Sequence, residues 1–128
     1  MVREFDEDDF DAFIEWHHQR GIRAVALDAL PSYGLVVENI AMGFLVSTDT
    51  EMAILDFFIT NPETSKVVRD QALDEIVMGL LRYGDEQGFT TFKCDTQLTA
   101  IADRANKFGF QFIGDYSNFI LRGFEWEA

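Results

Sequence analysis

The sequence has a single cysteine, Cys94, and only two prolines in 128 residues. One thiol excludes an intramolecular disulfide and a cysteine-built zinc cage. No wholly apolar run approaches the roughly 20 residues that a membrane-spanning helix needs. The start, Met1 to Asp11, is acidic and lacks an apolar stretch, so it does not read as a signal or transit peptide. Basic residues are scarce, with 10 Lys and Arg against 23 Asp and Glu and a net charge of −13. Such a chain repels phosphate backbones, so direct nucleic-acid binding is disfavoured while a basic partner surface would suit it. These absences together predict a soluble protein of a reducing compartment such as the cytoplasm, with no membrane association.

Hydrophobic residues make up 48% of the chain, enough for one ordinary core, and the length suits one domain over residues 1–128. Thirteen phenylalanines are spread along the chain and read as an aromatic-rich core. Five of the six residues from Asp6 to Asp11 are acidic. Carboxylates favour the positive end of a helix dipole, so a solvated helix start is the simpler account; a DNA-mimicking edge is the sharper one.

Periodicity orders the elements. Arg3 to Phe5 reads as a short strand. Asp6 or Asp9 then caps a helix carrying Phe10, Phe13, Ile14 and His17, ended by Gly21. Arg23 to Leu30 is expected as a second short helix limited by Pro31. Tyr33–Glu38, Ile40–Ser47 and Met52–Thr60 read as an antiparallel meander with tight connections. Val68, Leu73, Ile76, Val77, Leu80 and Gly84 trace one helical face, with Gly88 as its stop. Thr90 to Asp95 should then be a strand parallel to Met52–Thr60, since a helix crosses over between them. Leu98, Ile101, Ala102, Ala105 and Phe108 form a further helical stripe. Phe110–Ile113 and Asn118–Leu121 are expected as two last strands.

This order resembles the GNAT acyltransferase superfamily over nearly the whole chain. Ala53–Pro62 looks like the family's central strand running into its proline, the helix with Ala72-Leu73 like its CoA-binding helix, and Lys107-Phe108-Gly109-Phe110 like the close of its last helix. The chain particularly resembles small GNAT-like proteins of bacteriophages. The resemblance implies an α/β (α+β) fold with a mixed sheet of about six to seven strands flanked by three to four helices. It also implies acetyl-CoA as cofactor if the protein is active. The acyl-CoA segment would then comprise Ile59, Thr60, Lys66, Val67, Val68, Arg69, Asp70 and Gln71.

That segment departs from the family pattern. Glycines normally let backbone N–H groups approach the pyrophosphate, and none occurs between Pro62 and Ala72. Asp70 stands at the last glycine position, where its carboxylate would repel phosphate oxygens. Val67 and Val68 resist the turn geometry, while Lys66 and Arg69 could serve as phosphate partners. An ordinary helix start capped by Thr64 or Ser65 accounts for the same residues.

The family's general-acid tyrosine corresponds to Ala105, and an asparagine near that helix start to Leu98. Asp56 is the candidate base, with Glu51 nearby; its alternation against Leu55 and Phe57 also fits a polar residue on the less buried face. His17 and His18 point about 100° apart on a helix and form no metal pair. Cys94 reads as a small buried hydrophobe.

Three functions follow. The first is a non-catalytic, phage-like GNAT scaffold, a pseudoenzyme acting through protein contacts. The second is a divergent N-acetyltransferase moving an acyl group from acyl-CoA to an amine. The third is an acidic DNA mimic or inhibitor of a basic host protein in the host cytoplasm, built on the Asp6–Asp11 run with Glu125 and Glu127. By analogy with GNAT dimers, an exposed edge strand near the C-terminus is expected to pair with a second copy.

Overall fold

Strands form here where apolar residues alternate and a neighbour is available to take their backbone hydrogen bonds. The computed structural model describes residues 1–96, 101, 104–115 and 118–123. Strand β1 (Val2–Glu4) leads into one 3₁₀ turn, Glu7–Asp9, and helix α1 (Phe10–Gln19). Strands β2 (Tyr33–Val37), β3 (Ala41–Ser47) and β4 (Met52–Thr60) follow, then helix α2 (Lys66–Glu86) and strand β5 (Thr91–Cys94). The five strands lie in chain order; the first four are antiparallel and β5 is parallel to β4. The meander and the parallel crossover strand are as predicted, and the described sheet has fewer strands than the six to seven expected.

The sheet carries a core on each face. Leu35, Val37, Leu45, Leu55 and Phe58 meet Leu73, Ile76, Val77 and Leu80 of α2 on one side. Val36, Met42, Phe44 and Ile59 meet Phe13 and Trp16 of α1 on the other. Alternation along β2 and β3 sends successive residues to opposite layers, which is why two apolar layers fit on one ribbon.

Several expectations are corrected. Ile14 is 43% exposed, because α1 buries Phe13, Trp16 and His17 instead. Val68 is likewise exposed, and Ala72 joins the buried face of α2 in its place. The predicted helix over Arg23–Leu30 shrinks to one 3₁₀ turn, Leu27–Ala29, flanked by extended Ala26 and Leu30; Pro31 disfavours a helical Leu30. Phe110–Ile113 and Asn118–Leu121 are not strands and pair with nothing in the described sheet. The stripe after β5 is helical at Ile101, Arg104 and Ala105 and ends in a 3₁₀ turn, Asn106–Phe108. Leu98, Ala102, Glu125 and Glu127 lie outside the described residues.

The acidic run has a structural use. Asp6 accepts from the Asp8 N–H and Asp9 from the Asp6 N–H, a reciprocal capping box at the helix entry. Asp9 also receives Arg3 at 2.6 Å, and Arg3 holds the Asp9 carboxyl below its usual range.

Candidate functional site

The centre of the fold is an irregularity in β4. Between the pairs Met42↔Ile59 and Phe44↔Asp56, β3 contributes Gly43 alone while β4 contributes Phe57 and Phe58. Phe57 sits at φ 58°, a left-handed conformation that few non-glycine residues adopt. The bulge places Asp56 and Phe57 on the α1 side in succession and returns Phe58 to the α2 side. Gly43 is required opposite it, since a Cβ there would lie 2.6 Å from the Phe58 ring and 2.9 Å from Ile76. The signal in the sequence is Phe57-Phe58, two consecutive large residues that break the alternation.

Asp56 Oδ1 accepts the Phe57 N–H at 2.7 Å, so the bulge closes on its own side chain. Burial pushes the Asp56 carboxyl up to about 6; the Phe57 bond opposes this, Asp95 adds to it, and Lys93 opposes it. Lys93 and Asp95 pair at 3.3 Å. Beside Asp56 lies a cavity of about 400 Å³ between residues 29–32 and strands β3 and β4. Glu51, the other carboxylate considered, is exposed and accepts from the Thr90 hydroxyl at 3.2 Å.

Past the last β4–β5 pair, Leu55↔Cys94, the Asp95 N–H still donates to Leu55 O at 2.9 Å. Beyond it β4 runs on through Asp56–Thr60 with no ladder partner on that side among the described residues. Cys94 packs against the α2-side core, and burial pushes its thiol up to about 12. At that value it is no nucleophile near neutral pH.

The candidate cofactor residues form two groups. Ile59 and Thr60 end β4, both buried. Arg20 reaches from the end of α1 to donate to the Thr60 carbonyl at 3.1 Å and its hydroxyl at 2.5 Å. Arg20→Ala leaves that buried hydroxyl without its donor, and we expect a loss of about 1–2 kcal/mol in urea unfolding. Lys66, Val67, Val68, Arg69, Asp70 and Gln71 occupy the first turns of α2.

Several backbone N–H groups there are already engaged. Asn61 Oδ1 accepts the Glu63 N–H at 3.0 Å and Asn61 O accepts the Thr64 N–H at 3.2 Å. Ser65 Oγ, as N-cap, accepts the Val68 N–H at 3.3 Å. Lys66 donates to Asp70 at 2.7 Å, and Arg104 approaches Asp70 at 3.3 Å. Arg69 donates to the Thr64 carbonyl. The cations here are therefore tied to the protein's own acceptors. Ala105 is helical and partly buried.

His17 is buried with Nδ1 2.7 Å from Phe13 O, and burial lowers its pKa, while His18 is exposed. The described residues contain no cluster of His, Cys, Asp and Glu fit for a metal ion, and no described helix is long and apolar enough to cross a membrane.

The architecture is the GNAT acyltransferase fold. The chain is similar to an acetyltransferase of Trypanosoma brucei, with 12% identity, TM-score 0.65, and 94% of this chain and 99% of that one covered. Glucosamine-6-phosphate N-acetyltransferase from Arabidopsis thaliana matches with 12% identity and TM-score 0.65, covering 95% of this chain and 98% of that one. A predicted acetyltransferase from Clostridium acetobutylicum, solved with acetyl-CoA, matches with 12% identity and TM-score 0.62, covering 94% and 95%. At this identity the likeness is one of fold. No protein-family model matches the sequence, and no curated protein matches it.

Proposed function

We propose that this chain is a non-catalytic protein on the acetyltransferase fold, acting through protein contacts. The observation carrying this reading is that the entrance to α2 takes up several of its own N–H groups and its lysine. A pyrophosphate needs free N–H groups and unpaired cations, whereas the amides of Glu63, Thr64 and Val68 and the ammonium of Lys66 bond to Asn61, Ser65 and Asp70. Exposed apolar residues support the contact role. Phe112, Ile113, Phe119, Ile120 and Leu121 are between 68% and 94% exposed, and β5 ends the described sheet with an open edge.

Isothermal titration with acetyl-CoA tests the proposal. The expected result is no saturable heat; micromolar binding would remove it. The second reading, a divergent N-acyltransferase using acetyl-CoA, draws on the stretch Asp56–Thr60, which has no partner on the β5 side among the described residues, and on Asp56 beside its cavity. It requires the opposite titration result. The acidic-mimic reading is weakened by the use of Asp6 and Asp9 in capping and in the Arg3 ion pair.

A further inference from the structure

Residues 110–113 and 118–121 have strand-type side chains and form no strand in the described sheet. Phe112, Ile113, Phe119, Ile120 and Leu121 are between 68% and 94% exposed. Together they leave roughly 700–800 Å² in water, more than a soluble monomer ordinarily shows and about what one partner gives to a stable interface. The two ends of the segment are tied elsewhere. The Phe110 N–H donates to Ala105 O at 3.0 Å, and Arg122 donates to both oxygens of Asp28 at 2.8 and 2.9 Å. Meanwhile β5 has β4 on one side and no strand on the other among the described residues.

Charge selects the occupant. The chain carries −13, yet residues 110–123 contain one acid, Asp115, and one base, Arg122. A basic partner gains nothing from so neutral a segment, and an identical copy is not repelled by it. One chain also supplies both halves of the contact, a sheet edge without a neighbour and a strand-type segment without a sheet. Two copies related by a twofold axis satisfy both halves with none left over. We propose that this protein is a homodimer in which the 110–121 segment of each copy lies along the β5 edge of the other and buries these five side chains. The proposal rests on the contact role given above and names its partner.

The test is sedimentation velocity of the full chain over a dilution series. At about 10 μM the expected mass is twice the 14.6 kDa of one chain, with a Kd that is micromolar or tighter. Raising salt from about 0.15 M to about 1 M should leave the Kd unchanged or tighten it, because the contact is apolar and the rest of each copy is acidic. Phe119, 94% exposed, touches little in its own copy. Phe119→Asp should therefore weaken the dimer at least about tenfold while the urea midpoint of the dilute monomer stays put. Met78→Gln, at a half-exposed position on α2, should leave the dimer intact. Hydrogen exchange should protect amides in 91–94 and 110–121 at dimer concentrations and release them on dilution. A monomer up to about 100 μM, a dimer that salt weakens, equal loss in the Met78 and Phe119 variants, no loss with Phe119→Asp, or a dimer without that protection each overturns the proposal. Acetyl-CoA is titrated separately. Its micromolar binding removes the non-catalytic reading whatever the mass, whereas a monomer that binds no acetyl-CoA removes the dimer alone.

Discussion

Phe44→Ala should lower the unfolding free energy by about 3–5 kcal/mol, read as a lower urea midpoint at unchanged slope. Phe44 is fully buried on the α1 side of the sheet. Its ring meets Phe5 edge-on at 4.9 Å, Phe13 at 5.9 Å and Phe57 at 6.4 Å. Truncation therefore removes the apolar burial of one large ring and three favourable aromatic geometries together. The space cannot simply collapse, because Phe5 follows β1, Phe13 lies on α1 and Phe57 on β4. Gly34 reports on the same ring from the other direction. A Cβ at Gly34 would lie 2.3 Å from it, so Phe44 occupies the volume a side chain on β2 would need. A loss below about 1 kcal/mol would mean that the α1-side core is not organised around Phe44.

Asp56→Asn is expected to stabilise the protein at alkaline pH and to leave it unchanged in acid. The folded value of about 6 lies above the value of an unfolded aspartate, about 3.9. The folded chain therefore holds the proton more tightly, and the wild type is most stable below about pH 4. Its stability declines as pH rises through about 6, where the folded carboxylate ionises, and the penalty is complete above that. The gap between about 3.9 and about 6 corresponds to about 3 kcal/mol, but Asp56 opens on a cavity that water reaches, so about 1–2 kcal/mol is the expected gain. Thermal melts of both forms at about pH 4 and about pH 8 should converge in acid and separate in base. Melts that stay parallel across that range would show Asp56 to be hydrated as an ordinary surface carboxylate.

How much of the site was legible depended on the kind of information each residue carries. The absence of glycine between Pro62 and Ala72 could be read at once, since it is a statement about residue type. What those residues do instead could not be read. Asp70 bonding to Lys66 follows helical spacing, but its approach to Arg104 joins positions 34 residues apart. Asp56 was named as a candidate base from its strand alone. Its altered acidity comes from burial and from Asp95 just past strand β5, neither of which local sequence specifies. Arg20 gave no signal at all, because its partner Thr60 is 40 residues away.

The sequence by itself determined the meander, the crossover helix and the parallel strand. The β-branched and aromatic run over Met52–Thr60 and the helical spacing over Leu73–Gly84 are local patterns that need no distant partner to be read. Tertiary structure alone decided whether apolar stretches became strands. Phe112–Ile113 and Phe119–Leu121 have the composition of strands and remain exposed and unpaired, because a strand is stabilised by a neighbour's backbone and not by its own residues. The same reasoning applies to the bulge at Asp56–Phe57. Two adjacent phenylalanines break the alternation, but the opposing Gly43 and the packing of Phe58 on Ile76 turn that break into a fixed turn of the chain, with a carboxylate held beside a cavity.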